Sequence, residues 1–195
     1  MLDNLTRTYD LHFPPGWTQG DSLPVLLDLH YLAADGRDED SLTRFGPIAD
    51  AEGFILCHPW GMFFNWNVGQ NSPYSSGNRD LLFIDMLLDT LHQRYGVDLN
   101  RVYAVGMGQG GFMVHRLACS LSDRFAAVAA VGANIADSTA FYCQTNRPVP
   151  MMMIQGTADS VIYYYTGLPS VWGTVPELVD FWKLRNNCVG NEITL

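Results

Sequence analysis

The stretch Val102-Tyr103-Ala104-Val105-Gly106-Met107-Gly108-Gln109-Gly110-Gly111 constrains this chain more than any other. An apolar strand breaks into closely spaced glycines and then into a helical pattern. Glycine at that density is needed where backbone turns sharply and a strand and a helix come close. Two α/β architectures use such a turn. Read literally, Gly106, Gly108 and Gly111 spell G-x-G-x-x-G, the fingerprint of a dinucleotide cofactor site in an oxidoreductase. That reading needs an acidic residue about 20 positions on, at the end of the next strand, to hold a ribose. The sequence there is Gly132-Ala133-Asn134. The fingerprint also belongs on the first strand of its unit, and several strands precede this one. The second reading is a nucleophile elbow, G-x-S-x-G, with Gly108 at the serine position. Glycine there keeps the turn and relieves its strain, but removes the hydroxyl that attacks a carbonyl. The elbow is the preferred reading.

Around this turn, apolar runs alternate with helical patterns, which predicts an α/β domain on a largely parallel sheet with helices on both faces. Strands are expected at 8–13, 25–30, 54–58, 102–105, 126–131 and 150–155. Most are continuous apolar runs, as strands covered on both faces require. Helices are expected at 81–95, 111–121 and 175–186. The first carries Leu81, Ile84, Leu88 and Leu91 on one face and stops at Gly96; the last has Pro176 in its first turn. Segments 61–78 and 133–147 read as long irregular loops, of the kind that line sites. The 195 residues fit a single domain, 1–195, with no internal repeat.

Composition removes several partners. The net charge is −9 and Lys183 is the one lysine, so no basic face is offered to nucleic acid. The longest nearly apolar run, 125–136, is too short to span a membrane. The first residues, Met1-Leu2-Asp3-Asn4, lack the basic and apolar regions of an export signal. Four cysteines show no C-x-x-C spacing, so no metal site is expected, and Cys57 within an apolar run reads as a buried thiol.

Several segments, in order, resemble the α/β-hydrolase esterases related to polyhydroxybutyrate depolymerases and feruloyl esterases. They are 24–30 (PVLLDLH), 49–61 (ADAEGFILCHPWG), Asn65-Trp66-Asn67, 80–85 (DLLFID), the glycine turn, 123–131 (DRFAAVAAV) and 148–159 (PVPMMMIQGTAD). The resemblance implies a carboxylic-ester hydrolase acting through a serine nucleophile on a small ester or polyester, with no cofactor. It places the family serine at Gly108, the triad acid at Asp159, and the oxyanion hole at the backbone N–H groups of Leu32 and Gln109. Trp66 is expected to line the substrate site. Cys119 and Cys143 match the family's disulfide pair, which implies a secreted or periplasmic protein.

The chain departs from the family pattern in four places. Gly108 replaces serine. The family histidine lies in a G-G-H segment beyond the last strand seen here, and the sequence stops at Leu195. Tyr31 follows His30 where the family has His-Gly, and Leu82 stands where the helix often has glycine. His12, His30, His58, His92 and His115 each read as structural or exposed. The expectation is an incomplete domain lacking the last strand and helix, with Cys188 unpaired and the strand at 150–155 left as an uncovered edge prone to self-association. An alternative is a non-catalytic binding module for acyl, aryl or polymer chains, presenting the aromatics of 62–67, Tyr74 and Tyr163-Tyr164-Tyr165. Apart from Trp66, these aromatics read as completing a loop-covered core.

Overall fold

A computed structural model describes residues 6–70 and 77–190. Its sheet is built from β1 (Tyr9–His12), β2 (Val25–Leu29), β3 (Ile55–Pro59), β4 (Val102–Met107), β5 (Ala127–Val131) and β6 (Met151–Ile154). The strand order is β1-β3-β2-β4-β5-β6. Among the described strands only β1 runs antiparallel, pairing Tyr9 with Pro59 and His12 with Leu56. In the centre, Leu29 of β2 and Ala130 of β5 flank Gly106 of β4, so the glycine turn leaves the middle of the sheet.

Among the described residues, six α-helices accompany it: α1 (Gly36–Thr43), α2 (Gly46–Glu52), α3 (Arg79–Tyr95), α4 (Gln109–Ser120), α5 (Asp137–Phe141) and α6 (Val175–Arg185). Alternation along β2 sorts them onto two faces. Val25, Leu27 and Leu29 are buried in one cluster with Ile84 and Leu88 of α3 and with Met113 and Leu117 of α4. Asp28 points the other way and accepts a hydrogen bond from Thr43 of α1 at 2.6 Å. On that second face an open apolar groove of about 450 Å³ runs past Leu26, Phe54, Tyr103, Ala129 and Met152. Strand β6 ends the strand order, and its Met152 and Ile154 are more than half exposed.

Several elements differ from expectation for local reasons. Helix α4 begins at Gln109 rather than Gly111, because Gly108 alone makes the turn. Segment 133–147 contains α5. Helix α1 has almost no apolar stripe and is specified by its ends. Asp35 accepts from the Asp38 backbone while the Asp38 side chain accepts from the Asp35 N–H, a reciprocal capping box. The stop of α3 at Gly96 falls as read, with φ 73°.

Cys119, near the end of α4, is bonded to Cys143 beyond α5, closing a separation of 24 residues. Cys57 is a buried thiol whose pKa burial drives upward, and Cys188 is exposed.

His115 of α4 is fully buried and accepts a hydrogen bond from the Trp182 indole N–H of α6 at 3.0 Å. Burial holds its pKa down to about 3, against an ordinary 6.5. A depressed histidine means the unfolded chain binds the extra proton first. Its contribution to stability is therefore complete above about pH 6.5 and is lost progressively as pH falls toward 3. Between pH 7 and 4.5 the urea midpoint of the wild type should therefore fall relative to that of His115→Phe, so that the gap left at pH 7 by the lost indole hydrogen bond narrows.

Candidate active site

The turn between β4 and α4 is a single residue. Gly108 has φ 54° and ψ −119°, a conformation that side-chain-bearing residues adopt only under strain. Its N–H donates to Val131 O at 2.9 Å and its carbonyl accepts from Phe112 N at 3.0 Å, which ties the turn to β5 and to the helix. A Cβ at Gly106 would lie 2.5 Å from the Gly110 carbonyl carbon; one at Gly110, 2.0 Å from Leu29 O; one at Gly111, 2.5 Å from the Ala133 Cβ. Those three glycines are demanded by strand–helix contact. A Cβ at Gly108 would meet only the Tyr31 Cβ, at 3.7 Å, which is ordinary contact. Position 108 therefore has room for a side chain above the sheet, which distinguishes an elbow from a phosphate cradle. Tyr31 does not close that room.

Gly108 opens into a cleft of about 670 Å³ bordered by Tyr31, Leu32, Gln109, Asp159, Ile162 and Val171. Three elements expected from the resemblance thus converge here. Among the described residues, neither Leu32 N–H nor Gln109 N–H is spent on a backbone hydrogen bond outside helix and strand. Gln109 opens α4, where helix amides point outward with the positive end of the dipole. Its side chain is tethered, accepting from Trp66 N at 3.1 Å and donating to Asn65 Oδ1. Asp159 follows β6 in a turn that orients it: Oδ1 accepts from Val161 N at 2.8 Å and Ile162 N at 3.0 Å. Its Oδ2 faces Gly132 at the end of β5, 3.8 Å from where a Cβ would lie there.

The five histidines are all among the described residues, and none borders this cleft. His30 is buried beneath the loop after β2, accepting from Gly61 N at 2.9 Å on Nε2 and donating from Nδ1 to Tyr31 O at 2.8 Å. Those two bonds fix a neutral tautomer, and burial holds its pKa down. His92 donates to Val97 O at 2.8 Å, His12 pairs with Asp50 at 2.6 Å, and His115 is committed to Trp182. His58 lies on β3 beside Asp28 and Asp40. Among the described residues, the cleft therefore brings together an acid and two amide donors, and no serine, cysteine or histidine lines it.

Trp66 corrects an expectation. It is fully buried, not a wall of the cleft: its indole N–H donates to His30 O at 3.0 Å and its ring lies 4.9 Å from the His30 ring. It braces the loop that carries Leu32 from below. Phe63 and Phe64 reverse the opposite expectation. They are 73% and 53% exposed, because both adopt left-handed backbone (φ 53° and 59°) that turns them away from the core. Phe64 O accepts from Ala33 N at 3.0 Å, which joins this turn to the Leu32 loop. Tyr74 lies outside the described residues. Sequence reading missed the Gln109 side-chain tether and the apolar wall formed by Ile162, Leu168 and Val171, which carries no motif.

Replacing Trp66 by alanine should cost about 3–5 kcal/mol, since it removes a fully buried ring and its hydrogen bond. A thermal melt should show the loss. A neutral effect would mean that the ring is not the brace described.

No family profile matches the chain. Individual proteins do. It is 28% identical over 156 residues, 80% of its length, to a bifunctional acetylxylan esterase/xylanase of Neocallimastix patriciarum. It is 29% identical over 187 residues, 93% of its length, to feruloyl esterase B of Piromyces equi. A crystal structure of a thermostable esterase superposes on 91% of the chain and 48% of its own, with TM-score 0.62 and 16% identity. The fold is thus the α/β-hydrolase type seen in these esterase structures. Its sequence relatives are acetylxylan and feruloyl esterases; the chain spans 22% and 34% of the lengths of these two.

Proposed function

We propose that this cleft binds carboxylic esters, small or polymeric, with the carbonyl oxygen toward the Leu32 and Gln109 amides. With the residues of this chain it does so without forming an acyl-enzyme. One observation carries the reading: the side-chain position at Gly108 is open, stands at the head of α4, and shares its cleft with two unspent amides and Asp159. In a serine-bearing elbow, a base takes the hydroxyl proton as oxygen attacks the carbonyl, the two amides hold the oxyanion, and the acid orients the base. Among the described residues, Leu32, Gln109 and Asp159 line the cleft, while position 108 carries no hydroxyl and no histidine borders it. The names of the relatives favour feruloyl and acetyl esters as first ligands. The exposed Phe63–Phe64 turn beside the Leu32 loop supports the binding-module form of the proposal, since it offers aromatic faces to an acyl or aryl chain. The Cys119–Cys143 bond supports an oxidising, secreted or periplasmic setting, and the open edge at β6 supports self-association.

Titration calorimetry with ethyl ferulate, followed by chromatography for ferulate, tests this. The expected result is saturable binding with no product. An absence of binding to this ester and to p-nitrophenyl acetate overturns the proposal.

A further inference from the structure

Among the described residues that line the cleft, Asp159 carries the one charged side chain. The others are apolar, aromatic or amide, with no lysine, arginine or histidine among them. The Asp159 carboxylate is half satisfied. Its Oδ1 accepts from Val161 N at 2.8 Å and Ile162 N at 3.0 Å, whereas Oδ2 has neither a hydrogen bond nor an ion pair among the described residues. That free oxygen sits close to the bend. It lies 3.8 Å from where a Cβ on Gly132 would stand, and Gly132 follows Val131, whose carbonyl accepts from Gly108 N at 2.9 Å. The unspent oxygen and the bend are therefore neighbours across the end of β5.

A partly buried carboxylate with a free oxygen and no cation beside it attracts one from outside the chain. Apolar walls lower the local dielectric and lengthen the reach of that charge. The net charge of −9 adds a field of the same sign, which draws cations toward the protein and turns anions away. In an elbow furnished with a histidine, the imidazole N–H engages the acid. No histidine borders this cleft, so the acceptor is left to the ligand. The amides of Leu32 and Gln109 suit a carbonyl oxygen, and Asp159 suits a positive donor. The complementary ligand carries both groups, a short chain apart.

We propose that the cleft selects esters that bear an ammonium group, the cation donating to Asp159 Oδ2 while the ester carbonyl faces the Leu32 and Gln109 amides. The proposal rests on the ester-cleft reading and deepens it by naming the ligand class. A protonated primary amine fits better than a quaternary one, because its N–H groups form charge-assisted hydrogen bonds to the carboxylate.

The test compares isosteric pairs by amide-shift titration of the ¹⁵N-labelled chain. Ethyl esters of glycine, β-alanine and 4-aminobutanoic acid differ from ethyl propanoate, butanoate and pentanoate only in an ammonium for a methyl. At about pH 6.5 the amines are protonated. The ammonium ester of best-fitting length should bind about fivefold tighter than its methyl partner at low salt, and the advantage should shrink at about 0.5 M salt. In Asp159→Asn, whose Oδ1 still accepts from Val161 N and Ile162 N, each pair should agree within about twofold. The Ile162 amide, held by Asp159, should shift with the ammonium esters and stay still with the methyl ones, which decides the matter if Asp159→Asn does not fold. Pairs that bind alike in the wild type, or a preference that survives in Asp159→Asn, overturn the proposal and leave the ester-cleft reading standing. If neither series binds, both readings fail.

Discussion

Gly110→Ala should prevent folding. The added methyl would sit 2.0 Å from Leu29 O and 2.8 Å from His30 O, inside the backbone of β2 where it becomes the oxyanion loop. Neither atom belongs to a side chain that can swing away. Relief would require helix α4 to withdraw from the sheet, breaking the packing of Met113, Val114 and Leu117 against β2, β4 and β5. Overlap of that kind falls among the rare substitutions costing more than about 4–5 kcal/mol, a large share of the roughly 5–15 kcal/mol a domain has in hand. Soluble yield and circular dichroism should both report the failure. Gly108→Ala is the control, two residues away: its methyl meets only Tyr31 Cβ at 3.7 Å, and the cost is backbone strain of about 1–3 kcal/mol. That variant should fold. If the two variants behaved alike, the distinction between a steric glycine and a vacant perch would be lost.

Gly108→Ser in this chain should fold and still fail to turn over p-nitrophenyl acetate. The hydroxyl would stand in the cleft with Asp159 and the two amides, yet no histidine of this sequence borders that cleft to take its proton. His30, His92 and His115 are held by the bonds described, and burial disfavours charging His30, His58 and His115. In serine hydrolases, loss of the base costs about as much as loss of the whole triad, of order 10⁶-fold. A stopped-flow trace should show no acyl-enzyme burst. Appreciable turnover would mean that one of the five histidines reaches the serine. Supplying a base as free imidazole should give a small, concentration-dependent rate in Gly108→Ser and none in the wild type.

The fold was legible because its central strands are buried on both faces, so 25–30, 54–58 and 102–105 read as apolar runs without needing alternation. The sharp bend from β4 into α4 was legible because three of its glycines answer to contact and leave a pattern with fixed spacing. Helices α1 and α2 were not legible. Helix α1 is nearly all polar, and its signal is the Asp35–Asp38 capping box rather than a periodicity. Aromatic side chains were the weakest part of the reading. Phe63, Phe64 and Trp66 lie within four positions, and composition cannot sort them. A left-handed turn at 63 and 64 sends two rings outward and lets the third insert beside His30.

The central assertion is that the bend after Met107 serves an ester carbonyl. The most direct measurement is a two-dimensional amide spectrum of the ¹⁵N-labelled chain titrated in parallel with ethyl ferulate and with NAD. Saturable shifts at the Leu32 and Gln109 amides with the ester, and none there with the dinucleotide, are the predicted result. Shifts at 106–111 with NAD and silence with the ester would contradict the account.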